Sequence, residues 1–205
     1  IALRLVGSEM CIRDSSSHRK EAAMAQQQII NEGTVSRDAF IAKMRQVAAS
    51  VAVVTTDGPA GRHGATVITF CSVSADPPTI LICLSAERRI AKAVRNNQDF
   101  CVNLLSQNHI AIANRFAGMD DNRINDRFSG IDHYGARGVP PALDAATVFS
   151  CKTEQLVASG SHLVVIGRVT AVRAGDPAPL TYLDGGYHAL VPAHSEHNHL
   201  TQTTV

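Results

Sequence analysis

The chain has 205 residues, 45% of them hydrophobic, and its 19 basic and 18 acidic side chains leave a formal net charge of +1. That length affords one ordinary domain with extensions, and that apolar fraction excludes a wholly disordered chain. The even charge balance offers no basic stripe for nucleic acid and no anionic-membrane partner, and no apolar run approaches the roughly 20 residues that span a bilayer.

In chain order, the first thirty or so residues lack core periodicity. Ile1–Val6 and Met10–Ile12 hint at a leader, but Arg4, Gly7 and Glu9 interrupt it and no small-x-small site follows. Val6 to Asp14 reads instead as translated adaptor sequence, with Met24 nearer a natural start. Residues 1–33 are set aside as an extension, residues 34–190 as the domain, and residues 191–205 as a loose His-rich tail.

Ser36 and Asp38 offer capping oxygens ahead of Phe40, Met44 and Val47, whose spacing predicts an amphipathic helix of about three turns. The β-branched run Val51–Thr56 predicts a buried strand. Asp57–Gly61 is its turn, and Gly64–Phe70 returns as the second arm of a hairpin. Asp76-Pro77-Pro78 breaks the pattern. Thr79–Leu84 is apolar throughout and predicts a strand buried on both faces. Ser85 is expected to cap a helix carrying Ile90, Ala91 and Val94. Phe100–Leu105 is a strand, and Gln107–Ala117 a helix with Ile110, Ile112, Ala113 and Phe116 on its apolar side. Asp120–Pro141, rich in charge, Gly and Pro, is a long surface segment of the kind that covers sites. Thr147–Val157 and Leu163–Val172 are strands joined at Ser159-Gly160-Ser161, and Leu180–Leu190 supplies a last short strand. Strands follow one another too often for a doubly wound sheet, and P-loop and GxGxxG signatures are missing. The expected fold is a mainly β single domain, an antiparallel barrel with peripheral helices.

Five cysteines without a CxxC pair read as reduced thiols. Cys71 reads as a small spacer, since no base is visible beside it. His194, His197 and His199 sit in the tail without acidic partners, so no metal site is expected.

Six separated blocks resemble the flavin reductase-like, FMN-binding split-barrel family: Gly64–Pro78 (GATVITFCSVSADPP), Ala49–Thr56, Phe100–Leu105, Arg115–Gly118, Gly160-Ser161-His162 with Gly167, and Pro179–Tyr182 with Gly186-Tyr187. The likeness is nearest to the small reductase components of two-component aromatic monooxygenases. It implies a split antiparallel β-barrel that uses NADH or NADPH to reduce FMN or FAD. It also implies a cytoplasmic homodimer that hands reduced flavin to a flavin-dependent monooxygenase.

The implied flavin-binding residues are Thr66, Val67, Ile68, Thr69, Cys71, Ser72, Val73, Ser85, Arg89 and Phe116. His162 and Tyr187 fall on the nicotinamide side. A strand turning at Ser72–Ser74 can offer backbone N–H groups to the ring's pyrimidine edge, and Thr66, Thr69 and Ser72 add hydroxyls. Ser85 to Arg89 at a helix start suits a phosphate. The hydride step needs positioning residues and no protein acid or base. On the residues alone, Thr66 and Thr69 also suit plain strand positions, Arg88 a solvated first turn, His162 an exposed hairpin, and Tyr187 simple packing. The family usually carries Asp where Ser161 stands. That departure keeps open a flavin-binding module without turnover, or a split barrel resembling the pyridoxamine phosphate oxidases.

Overall fold

The computed structural model describes residues 35–191, apart from 145 and 177. The extension over 1–33 and the His-rich tail lie outside the described residues. Within the described residues, twelve strands and three α-helices follow in order. They are α1 (Arg37–Met44), β1 (Ala49–Ser50), β2 (Ala52–Thr56), β3 (His63–Val67), β4 (Phe70–Ala75), β5 (Pro78–Ser85), α2 (Arg89–Asn97), β6 (Asp99–Leu104), α3 (Ile110–Ala117), β7 (His133–Tyr134), β8 (Ala142–Leu143), β9 (Thr147–Ser159), β10 (His162–Arg173), β11 (Leu180–Leu183) and β12 (Gly186–Ala189).

Seven strands form one antiparallel sheet in the order β3-β2-β6-β9-β10-β5-β4. Its two edge strands, β3 and β4, are joined only by Ile68 and Thr69. Three Cα–Cα steps reach about 11 Å, so the sheet must curl until its edges meet. Thr69 makes the junction: its hydroxyl donates to the Cys83 carbonyl at 2.9 Å, and the Cys83 amide donates back to the Thr69 carbonyl at 3.4 Å. This is a barrel split at one seam. A smaller sheet, β1-β11-β12, stands against it.

The alternation of β2 separates two cores. Ala52 and Val54 face the barrel interior with Ile82, Leu84, Phe100 and Val165, which α2 plugs with Ile90, Ala91 and Val94. Val51 and Val53 face outward into a second cluster built from Phe116, Leu105, Leu143 and Leu180. Both faces of β2 are therefore buried. Asn103, fully buried, ties the layers together: its amide nitrogen donates to the Val53 carbonyl and the Thr55 hydroxyl, and its oxygen accepts from the Leu143 amide at 2.7 Å.

Several expected elements differ in detail. α1 has eight residues and buries none of them; Phe40 is 58% exposed. Gly64–Phe70 is two strands rather than one, because the chain crosses the barrel seam at Ile68-Thr69. Ser85 ends β5, and Arg88 occupies the N-cap of α2, where its side chain makes no capping bond to the helix amides. Leu180–Leu190 is a hairpin of two strands. β5 is buried on its inner face only; Leu81 and Cys83 on its outer face are partly exposed, with no helix over them among the described residues.

Candidate functional site

β4 is an edge strand. Its outer rim carries backbone groups that no neighbouring strand among the described residues claims. The β4–β5 register shifts between Ser72 and Ser74, so Val73 bulges out of the ladder, 52% exposed, beside the exposed Cys71 and Ser72. A bulge on an edge strand re-aims its amides and side chains, and such bulges gather next to active sites. Thr69 stands at the head of this strand, half-exposed.

The far end of β5 adds a second group of residues. Ser85 and His162 are direct cross-strand partners, and the Ala86 amide donates to the Ser161 carbonyl at 2.9 Å. The Ser161 hydroxyl lies 2.9 Å from His162 Nδ1, while His162 Nε2 is closed off from solvent with no hydrogen-bond partner. A polar atom left so costs about 1–3 kcal/mol. Just beyond Ser85, α2 begins. Its first turn holds no acidic residue, and Arg89 is exposed there. The leading amides of a helix lack intrahelical acceptors and favour anions.

The start of the long segment after α3 is tied back to α3 and β3. Arg127 grips Asp121 with two bonds, of 2.8 and 2.5 Å, and donates to the Phe116 and Gly64 carbonyls at 2.9 and 3.2 Å. The Asp121 carboxyl is held below its ordinary range, first by the Arg127 hydrogen bond and then by the charges of Arg127, Arg89 and Arg88.

Thus Thr69, Cys71, Ser72 and Val73 lie along one exposed strand, and Ser85, Arg89 and His162 share one corner. Thr66, Val67 and Phe116 are wholly buried. The Thr66 hydroxyl donates to the Ala113 carbonyl at 2.7 Å, Val67 faces the barrel interior, and Phe116 meets Phe128 edge-on at 4.9 Å. Their side chains are committed to packing and form the backing of the wall. Ile68 packs on the second core, as does Tyr187. Tyr187 stacks edge-on against Tyr182 at 5.7 Å, its hydroxyl is buried without a partner, and burial, with the Tyr182 charge adding, pushes its pKa up.

The sequence did not single out Arg127 or Asp121, whose only signal was a charge-rich loop; the turn expected at Ser72–Ser74 is present as the register shift around Val73. Cys71, Cys83, Cys101 and Cys151 are free thiols. Burial raises the Cys83, Cys101 and Cys151 pKa values, the last to about 12. Among the described residues no helix is long and apolar enough to cross a membrane.

The profile of the flavin reductase like domain matches residues 44–191. Among curated relatives, the FMN reductase (NADH) RutF of Enterobacter cloacae is 36% identical over 160 residues, covering 77% of this chain and 96% of its own length. Among solved structures, a flavin reductase domain protein from Arthrobacter sp. FB24 matches at a TM-score of 0.71 and 28% identity, covering 78% of this chain and 99% of its own. The styrene monooxygenase flavin reductase from Pseudomonas putida S12 matches at 0.64 and 27%, covering 74% and 97%.

Proposed function

This chain belongs to the flavin reductase-like domain family, and from that footing we propose that it passes hydride from NADH to FMN and releases reduced flavin to an oxygenase. It is an NAD(P)H-dependent flavin reductase of the kind that serves two-component monooxygenases. FMN over FAD, and NADH over NADPH, follow the pair for which the Enterobacter relative is named.

The observation that carries the reading is that one strand, β5, borders the bulged edge strand β4 along its first part and carries the Ser85–His162 pair at its far end. Two features suit a flavin there. The free rim of β4 supplies unclaimed amides for a flat ring with alternating donors and acceptors, and the orphaned His162 Nε2 lacks the partner a ligand could provide. A bound flavin supplies the hydride acceptor and a nicotinamide the hydride, so the chain itself has to bind, orient and exclude water. In this reading the β4 rim, Thr69 and Ser72 meet the polar edge of the ring, and Cys71 and Val73 offer it small apolar contacts. Ser85, Arg89 and the leading amides of α2 hold a phosphate. His162 and Tyr187 orient the nicotinamide, and Thr66, Val67, Ile68 and Phe116 keep the wall in place from behind.

The assembly in this reading is a homodimer. The outer faces of β5, β10 and β9 align Leu81 with Ile166 and Cys83 with Val164 and Val157, an apolar strip left partly open in the single chain. Contiguous exposed apolar surface of this kind marks an interaction site. Free thiols and nicotinamide-dependent chemistry fit the cytoplasm.

The test is steady-state NADH and NADPH oxidation with FMN or FAD added. The reading requires flavin-dependent turnover, with kcat/KM highest for NADH and FMN. Tight flavin binding without turnover would favour the module that binds flavin and does not reduce it.

A further inference from the structure

β6 runs into a short 3-10 turn, Gln107–His109, that leads straight into α3. This turn is knotted to the segment ahead of β11. Ser106 bridges to Pro179, and the Gln107 amide donates to the Ala178 carbonyl at 2.9 Å. The Leu180 amide donates to the Leu105 carbonyl at 2.8 Å, and the Val51 amide to the Leu180 carbonyl at 3.0 Å. These bonds seat the small sheet, β1-β11-β12, on the barrel.

One imidazole caps the knot. The Ser106 amide donates to His109 Nδ1 at 3.1 Å, and the His109 amide donates back to the Ser106 carbonyl at 2.9 Å. The Ser106 hydroxyl lies 3.2 Å from the same ring nitrogen. An amide can only donate, so Nδ1 holds a lone pair and the ring is neutral, with its proton on Nε2. A proton on Nδ1 would set two N–H groups against each other. Ser106 is 1% exposed, so its amide would then be buried without an acceptor.

The surroundings of the ring decide how readily that happens. Asp176, ahead of β11, accepts from the Ala178 amide at 3.0 Å and the Asn108 side chain at 3.2 Å. Asp144, just after β8, is paired with Arg173 of β10 at 3.3 Å. Burial of the ring lowers the His109 pKa and outweighs the Asp176 and Asp144 carboxylates, which raise it.

We propose that His109 is an acid-sensitive latch, which holds the small sheet to the barrel while neutral and lets that junction open once protonated. An unfolded histidine titrates at about 6.5. The latch is therefore whole above that pH and is lost as the pH falls through the lower value of the folded chain. Opening the junction loosens Tyr187 as well, since β12 pairs only with β11 among the described strands.

Amide hydrogen exchange on the wild-type protein and on His109→Gln tests this. Glutamine at this position of a capping box accepts the Ser106 amide through its side-chain oxygen and does not titrate. The wild-type-to-variant ratio of exchange rates at the Gln107 and Leu180 amides should rise about threefold or more between about pH 7.5 and about pH 5.5, the intrinsic rates cancelling at each pH. The same ratio at the Ile82 and Val165 amides, in the barrel core, should rise less. A ratio at Gln107 and Leu180 that stays constant would overturn the latch, as would a rise of equal size at Ile82 and Val165, which would report whole-chain unfolding.

Discussion

His162 illustrates what one residue gains from its position. It opens β10 directly opposite Ser85, with the Ser161 hydroxyl on Nδ1 and nothing on the buried Nε2. If that nitrogen serves the nicotinamide, His162→Ala should raise the KM for NADH or lower turnover by up to about 100-fold, the cost of lost positioning. Flavin affinity should stay near wild type. Steady-state kinetics and a flavin titration decide it, and an unchanged profile for both substrates would make His162 an ordinary hairpin residue. At this scale the sequence was only half legible. The identities of Ser85 and His162 came from motif blocks, whereas their pairing depends on strands far apart in the chain. The buried state of Thr66 was legible as a strand position, but the bond of its hydroxyl to Ala113 was not. Strand periodicity tells which face a side chain takes, and only the fold tells which helix covers that face.

Among the elements, the seam between β3 and β4 matters most. Gly64–Phe70 has no Gly, Pro or polar break at Ile68-Thr69, so it read as one strand. The interruption is imposed by barrel closure, which places the two halves on opposite edges of one sheet. The long strand β10 has a related device. The register of β9 and β10 slips between Ile166 and Gly167, and a Cβ placed on Gly167 would lie 2.5 Å from the Phe100 ring. That ring is fully buried in the barrel core. Gly167→Ala should therefore destabilise the protein by about 1–3 kcal/mol, the usual cost of overpacking a core, measured by denaturant unfolding. Stability equal to wild type would mean that Phe100 moves aside freely. α1 shows the opposite case: the spacing of Phe40, Met44 and Val47 predicted a helix of about three turns, but the helix found ends at Met44, short of Val47, and nothing in the described chain covers Phe40 and Met44.

For the whole molecule, the mainly β barrel was legible because strands followed one another too often for a doubly wound sheet, with turn residues between them. The expectation that β5 is buried on both faces failed for a reason that bears on assembly. Leu81, Cys83, Val164, Ile166 and Val157 form an outer strip that the single chain leaves partly open. If a second copy covers it, the protein should sediment as a dimer, and Val157→Glu, a change at a residue 48% exposed in the single chain, should shift it to a folded monomer. A dimer that survives the substitution would place the interface elsewhere. The central claim, hydride transfer from nicotinamide to flavin on this chain, is tested most directly without oxygen. Under those conditions reduced flavin persists, so a catalytic amount of protein mixed with equal NADH and FMN should bleach the flavin absorbance as NADH is consumed, one for one. NADH and FMN absorbances that both remain unchanged, in the presence of folded protein that binds FMN, would contradict it.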